Sequence, residues 1–435
     1  MSTATAPSAA AKTLHKTLHN EVQASDIAVG VVVGRTSEYF DFFVFAIASV
    51  IVFPKLVFPY TDALTATFLS FAIFALAFIS RPVGTLLFME VDRRYGRSIK
   101  LISGLLLLGT ATVAIAFLPG YASIGLSSAF FLALFRIAQG LAWGGTWDGM
   151  ASLLSLHAPQ GRTGWYAMIP QLGAPIGLIV ASGLFAFFIS NLSADDFFSW
   201  GWRYPFFVAF AINVVALFAR LRLVTTPEFA TLFANRELQP KSVPSTVRKE
   251  GAHIAIGTFT PLASFAMFHM VTVFPLSWIF LFTKESADRF LVIEMIAAAI
   301  GILAIAASGL IADRIGRRQL LVIVAGAIAA FSGFAPQLLN GGELGEVCFM
   351  VVGFILLGLS FGQSSGAAAH MFNRSYRYTA SALTTDLAWL FGAGFAPLLA
   401  LWLASWFGLI ASGAYLLSGA LGTVIALALS RSKQA

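Results

Sequence analysis

Six of the ionisable side chains inside apolar runs long enough to cross a bilayer stand out as deeply placed: Arg35, Glu38 and Asp41 in the first run, Arg136 and Asp148 in the fourth, and Asp386 in the eleventh. A charge at the bilayer centre costs roughly 2.5–3.5 kcal/mol even on the lenient insertion scale, so such residues are functional candidates by default. Desolvation favours the neutral form of a carboxylate and a neighbouring guanidinium favours the ionised form, so an acid–arginine pair can exchange a proton near neutral pH. An anionic solute that engages the arginine leaves the acid easier to protonate, and proton and solute then bind cooperatively. At ~1.5 Å per residue, Asp41 and Arg136 fall at similar depths, as do Arg35 and Asp148. Two cross-helix pairs are expected, Asp41 with Arg136 and Arg35 with Asp148, with Glu38 between them and Glu38 or Asp41 as the proton carrier. The plainer alternative is that these pairs only brace helices or form a gate, and for Arg35 with Asp148 the gate is the first reading. Glu294 lies close to the end of its run and is left out of the set.

Other polar or aromatic residues inside the runs are candidates for solute contact. Trp143 and Trp147 are four residues apart and share a helix face with Gln139, which would make an aromatic wall. Gln171, Gln363, Asp386 and Trp389 are further candidates, as are His269 and His370, where a neutral imidazole could hydrogen-bond a solute or a proton. Ordinary packing explains a lone His or a Trp stripe as well. Gly140 with Gly144, and Gly145 with Gly149, form small-xxx-small pairs that allow close helix approach.

The elements that must position these side chains follow from composition. The 435-residue chain is 58% apolar and only 11% charged, far below the roughly 25% of a globular protein. So few charges could not cover a water-soluble surface. The single cysteine, Cys348, excludes an internal disulfide and a cysteine metal cluster. A crossing helix needs about 20 apolar residues, and the chain divides into about twelve such runs. They cover 29–53, 64–89, 99–118, 126–155, 165–190 and 201–223 in the first half, and 253–282, 290–312, 319–338, 346–371, 378–403 and 406–430 in the second. With a cytoplasmic N-terminus nearly all Lys and Arg outside the runs face inward, leaving Lys55, Arg203, Lys284 and Arg289 outside, as the positive-inside rule requires. The net charge of +7 then needs no nucleic acid, because basic loops face anionic lipid. Residues 1–27 are expected as a disordered cytoplasmic tail, 28–223 and 251–430 as two bundles, 224–250 as a Pro- and Lys/Arg-rich cytoplasmic linker, and 431–435 as a second tail.

A repeat ties the two halves together. Val91-Asp-Arg-Arg-Tyr-Gly-Arg97 and Ala312-Asp-Arg-Ile-Gly-Arg-Arg318 each end an apolar run, and Gly96 and Gly316 are 220 positions apart, about half the chain. With Glu38-Tyr-Phe-Asp-Phe42, Arg81-Pro-Val-Gly84, Arg136-Ile-Ala-Gln-Gly140, Pro170-Gln-Leu-Gly-Ala-Pro-Ile-Gly177, Trp202-Arg-Tyr-Pro-Phe206 and Arg377-Tyr-Thr379, the chain resembles the major facilitator superfamily. Within it, the chain is similar to the metabolite:proton symporters, which include permeases for α-ketoglutarate, citrate, shikimate and proline/betaine.

The resemblance implies an all-α integral membrane fold of twelve transmembrane helices in two pseudo-symmetric six-helix bundles, both termini cytoplasmic, with a central site and alternating access. It also implies latches at the repeated turns, from Asp92, Arg94 and Arg97 in one half and Asp313, Arg314 and Arg317 in the other. Three departures stand out. Arg93 occupies the place of the loop Asp, with Asp92 one residue early, so this latch is expected to be weakened or rebuilt; the fourth run reads Gly144-Gly-Thr-Trp-Asp-Gly149, moving its acid from 146 to 148; and Arg35 stands where Asn is usual.

No phosphate-binding glycine loop or nucleotide cassette occurs, which argues against ATP-driven transport. The expected protein is a monomeric inner-membrane carrier, not an enzyme, that imports a small organic anion with protons and needs no cofactor. A proton antiporter exporting an amphipathic compound and a non-transporting membrane enzyme or sensor are the alternatives.

Overall fold

A computed structural model describes residues 24–146, 154, 158–224, 239–364, 371–373 and 375–432. These residues are almost entirely helical. The first half contains α1 (Ala24–Ile51), α2 (Ala63–Tyr95), α3 (Arg97–Ala116), α4 (Ser127–Thr146), α5 (Thr163–Asn191) and α6 (Tyr204–Val224). The second contains α7 (Leu262–Phe282), α8 (Ala287–Ile315), α9 (Arg317–Ser332), α10 (Gly342–Phe361), α11 (Arg377–Phe407) and α12 (Leu409–Ser430). Among the described residues, nine helices are long and apolar enough to cross a membrane. The helix α1 misses that standard because every stretch of it long enough to span includes Arg35, Glu38 and Asp41. For α9 the reason is length, since Arg317–Ser332 has 16 residues.

The repeated basic turn has the same backbone in both halves. Gly96 (φ 87°) ends α2 and Gly316 (φ 89°) ends α8, each sending its N–H to the carbonyl four residues back, Asp92 and Ala312. The carbonyl of each glycine then accepts from the N–H four positions on, of Lys100 or Leu320, to begin the next helix. A side chain at such a φ would be strained, which is why glycine marks the end of both helices.

Helix ends depart from the apolar runs in an instructive way. Charges stop an apolar count but not a helix, so α2 continues through Glu90–Arg94 as far as Gly96. A helix Val243–Phe259 leads into α7, although residues 224–250 read as linker. Its Pro244 sits in the first turn, where the missing N–H costs nothing. Pro261 and Pro275 then break the path of α7, and α11 carries a π-helical turn at Leu390–Gly394.

Small residues set the helix spacing. A Cβ on Gly140 would lie 2.2 Å from the Ala77 carbonyl oxygen, and one on Gly144 2.2 Å from the Thr85 nitrogen, so α4 packs backbone to backbone on α2. Gly173 and Gly177 likewise bring α5 onto the backbone of α1 at Arg35–Thr36 and Tyr39–Phe40. Across the halves, α5 lies along α8 and α2 meets α11.

Candidate transport cavity and the charged groups around it

The 3.6-residue helical turn puts Arg35, Glu38, Tyr39 and Phe42 on one stripe of α1 and Ser37 and Asp41 on another. The first stripe lines a cavity whose other walls are Phe78 and Arg81 of α2, Trp143 and Thr146 of α4, and Trp389 of α11. Both halves of the chain therefore contribute to it. Arg35 Nη1 donates to Glu38 Oε2 at 2.8 Å and Nη2 to Tyr39 Oη at 3.1 Å, with the guanidinium 5.0 Å above the tyrosine ring. The side chains of Arg35 and Glu38 stay 21% and 13% exposed, enough for water or a solute to reach them.

A second charged group closes one side. Arg81 Nε donates to Asp386 Oδ1 at 2.7 Å across the two halves, and Thr85 Oγ1 donates to Asp386 Oδ2. This cross-half pair is buried, yet Arg81 also lines the cavity, and no described hydrogen bond uses its Nη atoms. In the sequence Arg81 stands in the motif Arg81-Pro-Val-Gly84 and inside the second run, but not among the candidate site residues. The signal that could have found it was its place as an arginine inside a span.

At the other side of the cavity the aromatic residues close over His269. Its ring stacks on Phe42 at 5.3 Å and meets Phe74 and Phe78 edge-on at 5.4 and 5.8 Å, with Trp389 at 6.4 Å. His269 is fully buried, and among the described residues neither ring nitrogen has a hydrogen-bond partner, nor does the Trp143 indole N–H. Trp143 and Trp389 are thus brought to the cavity with Glu38 and Arg35, and His269 lies behind its aromatic wall.

The expected direct pair of Asp41 with Arg136 does not form. Asp41 is fully buried inside the first half, accepting from Thr112 Oγ1, from Gln139 Nε2 at 3.4 Å and from Asn213 Nδ2 at 3.4 Å. Arg136 donates to Gln139 Oε1 at 3.0 Å and to the Phe74 carbonyl at 3.2 Å, and lies over the rings of Phe45, Phe74 and Trp143. Gln139 thus bridges the acid and the arginine and does not line the cavity. The bridge through Gln139 brings Asp41 and Arg136 to one level, but rotation turns Asp41 about 60° away from Glu38, toward α3, α4 and α6. Arg35 pairs with Glu38; Asp148, its expected partner, lies outside the described residues, as do Trp147 and His370.

Two expected solute contacts tie helices together outside the cavity. Gln171 donates to Ser364 Oγ at 3.3 Å across the halves. Gln363 accepts from Arg317 Nε at 3.2 Å and donates to the Gly164 carbonyl at 3.1 Å and Ser308 Oγ at 3.2 Å. It belongs to the tie made by Asp313, whose oxygens accept from the Gly164 and Trp165 N–H groups at 2.7 and 3.1 Å at the start of α5. A carboxylate there also complements the helix dipole.

The first-half tie is built differently. Asp92 is buried against Arg97 (3.6 Å) and Lys100 (3.8 Å), and accepts from Tyr378 Oη of α11 at 3.2 Å. Lys100 Nζ donates to the same hydroxyl at 3.0 Å. So Asp92, one residue early, still links the halves through tyrosine. Arg93 and Arg94 turn to Glu90 on the surface, and Arg314 is exposed. The motif Arg377-Tyr-Thr379 gains a reason here, because Thr379 also bonds both backbone groups of Lys241. Trp202 is buried and Arg203 bonds the Ala116 carbonyl at the end of α3, which accounts for the motif at Trp202–Phe206.

Comparisons with known proteins agree with this architecture. The family model described as Major Facilitator Superfamily matches residues 31–390. An Escherichia coli K12 protein described as inner membrane metabolite transport protein YhjE is 36% identical over 93% of each chain. The E. coli shikimate transporter is 27% identical over 95% of each, and the Salmonella typhimurium proline/betaine transporter 28% identical over 85% of this chain and 76% of its own. Among solved structures, that of the proton:xylose symporter XylE bound to 6-bromo-6-deoxy-D-glucose is similar with a TM-score of 0.70 at 17% identity, covering 95% of this chain and 96% of that one. At that identity the likeness carries the fold alone. The duplicated turns, the shared cavity and these matches lead to one conclusion: the chain belongs to the Major Facilitator Superfamily and is a multi-pass membrane transporter of small-molecule metabolites, of the inner-membrane type, rather than an enzyme.

Proposed function

We propose that the protein is a proton-coupled symporter that imports a small organic anion by alternating access. The observation that carries this reading is the Arg35–Glu38 pair, at 2.8 Å and part-exposed on the cavity wall. An incoming carboxylate competes with Glu38 for Arg35 and finds a second guanidinium in Arg81. Once Glu38 has lost its counter-charge it takes up a proton more readily, so anion and proton bind together. The aromatic wall of Tyr39, Phe42, Phe78, Trp143 and Trp389 suits an acid with a ring or other apolar body. Asp41 and Arg136, closed in by Thr112, Gln139 and Asn213, serve on this reading as a structural core; Glu38 carries the coupling. The positive-inside rule assigns the Arg-x-Gly-Arg ends of α2 and α8 to the cytoplasm, so the ties of Asp92 and Asp313 act as the inner gate.

Names among the relatives supply the first solutes to test: shikimate, proline and betaine, with α-ketoglutarate and benzoate as acids of other shapes. In proteoliposomes with an alkaline interior, at least one acid should accumulate, and collapse of the pH gradient should abolish the accumulation. Glu38→Gln should lose accumulation and keep solute counterflow. Expulsion driven by an acid exterior would identify an antiporter. Accumulation that survives Glu38→Gln would remove Glu38 from the coupling.

A further inference from the structure

Glu294 lies near one end of its apolar run, away from mid-span. The structure buries it completely, inside the seam where α5 of one half lies along α8 of the other. Glu294 Oε2 accepts a hydrogen bond from Ser182 Oγ of α5 at 2.9 Å, and Oε1 has no partner. Among the described residues no cation pairs with it. The residue lies seven positions, about 10 Å, inside the α8 end opposite the Arg-x-Gly-Arg turn. Ser182, Ala186 and Ser190 follow one another at i, i+4 and i+8 on α5, and Ser190 donates to Asp288 at the mouth of the same seam at 2.9 Å. The seam is thus sealed by two serine–acid contacts, a shallow one and a deep one.

We propose that Glu294 is a proton-binding group that links protonation to closure of the α5–α8 seam at the end away from the basic turns. Sealing an ionised carboxylate with one hydrogen bond and no counter-charge is costly, whereas the neutral acid sits there with Ser182 as its partner. When the two halves part at this end, water reaches the carboxyl and solvates the charge. The closed seam therefore holds the proton and the open seam releases it. Proton uptake from that side favours closure of that end, and opening there returns the proton to the same side, so Glu294 sets the balance between the two states rather than carrying the proton across. The proposal rests on the proton-coupled reading above, and it adds a second titrating group away from the cavity.

Other charges border the seam and must be separated from Glu294. On α8 and its approach these are Lys284, Glu285, Asp288 and Arg289; on α10 they are Glu343 and Glu346. The α5 face contributes only the serines, α7 beside α8 carries no Asp, Glu, Lys or Arg within Leu262–Phe282 and its one titratable side chain there, His269, lies behind the cavity wall, and the basic residues of α9 sit at its far end.

The test needs no solute. Spin labels at Asn191→Cys and Lys284→Cys, in a Cys348→Ser background of the full chain in nanodiscs, report the width of this end by pulsed electron resonance. Between pH 5.5 and 8.5 the wide population should grow with pH, with the open:closed ratio changing up to about tenfold per pH unit where one proton is linked. Glu294→Gln should hold the narrow distance at every pH, and Glu294→Asp should restore a pH response. Asp288→Asn should keep the response of the parent. A width that ignores pH in the parent, a response that persists in Glu294→Gln, or one that vanishes in Asp288→Asn overturns the proposal. Because no solute is present, such a failure leaves the Glu38 reading to stand or fall on accumulation alone.

Discussion

At the residue scale, the two acids of α1 have opposite surroundings although they are three positions apart. Glu38 is part-exposed beside Arg35, while Asp41 is sealed among Thr112, Gln139 and Asn213. Their substitutions should therefore separate stability from coupling. Asp41→Ala leaves Arg136 buried without its nearest opposite charge, a loss of about 3–5 kcal/mol, and should lower the melting temperature in detergent sharply. Glu38→Gln should melt within a few degrees of the parent and lose pH-driven accumulation. The reverse pattern would exchange the roles of the two acids. His269 offers a third test, because both ring nitrogens are buried and unpartnered at a cost of about 1–3 kcal/mol. His269→Phe, among Phe42, Phe74 and Phe78, should melt no lower than the parent, and a marked drop would show that the imidazole has a partner in the membrane.

At the element scale, helix approach is governed by where a Cβ would go. Gly144→Leu would drive a side chain into the α2 backbone at Arg81–Thr85, displacing Arg81 from both Asp386 and the cavity. Overpacking of this kind costs about 1–3 kcal/mol, and folded yield and melting temperature should both fall. A Cβ on Gly326 of α9 meets nothing within 4 Å, so Gly326→Ala should be neutral or stabilising by up to about 1 kcal/mol. Equal effects of the two substitutions would mean that α2 and α4 are not in backbone contact. The glycines of Arg136–Gly140 and Pro170–Gly177 are thereby explained as spacing devices for α4 on α2 and α5 on α1. Their presence in the motifs was legible, but the helix each one touches was not.

At the scale of the whole molecule, ties across the halves decide which end can open. Arg81–Asp386 spans the middle, and the Asp92–Tyr378 and Asp313–Gly164 contacts close the end with the basic turns. Breaking one partner of the buried Arg81–Asp386 pair should disable transport, and the exchange Arg81→Asp with Asp386→Arg should recover a measurable part of it. A double variant as inactive as either single one would argue that the pair does more than attract. Tyr378→Phe removes the hydroxyl shared by Asp92 and Lys100 without emptying its site. It should shift the population toward opening at that end, read as a wider spin-label distance there and a narrower one at the mouth near Asn191 and Lys284.

Much of this was legible in one dimension. Runs of apolar residues, few charges, the copies of the basic turn 220 positions apart and the family motifs determined the all-helical membrane fold and the transporter class. Those properties depend on the transfer of whole segments from water to lipid, which composition and length measure directly. Tertiary structure alone decided the partners: Glu38 rather than Asp41 on the cavity, Gln139 as a bridge, Arg81 facing Asp386, and Glu294 sealed in the α5–α8 seam. The reason is angular. One residue of offset turns a side chain by about 100°, so the neighbour it meets depends on the rotation and spacing of the surrounding helices, which no pattern along a single run encodes.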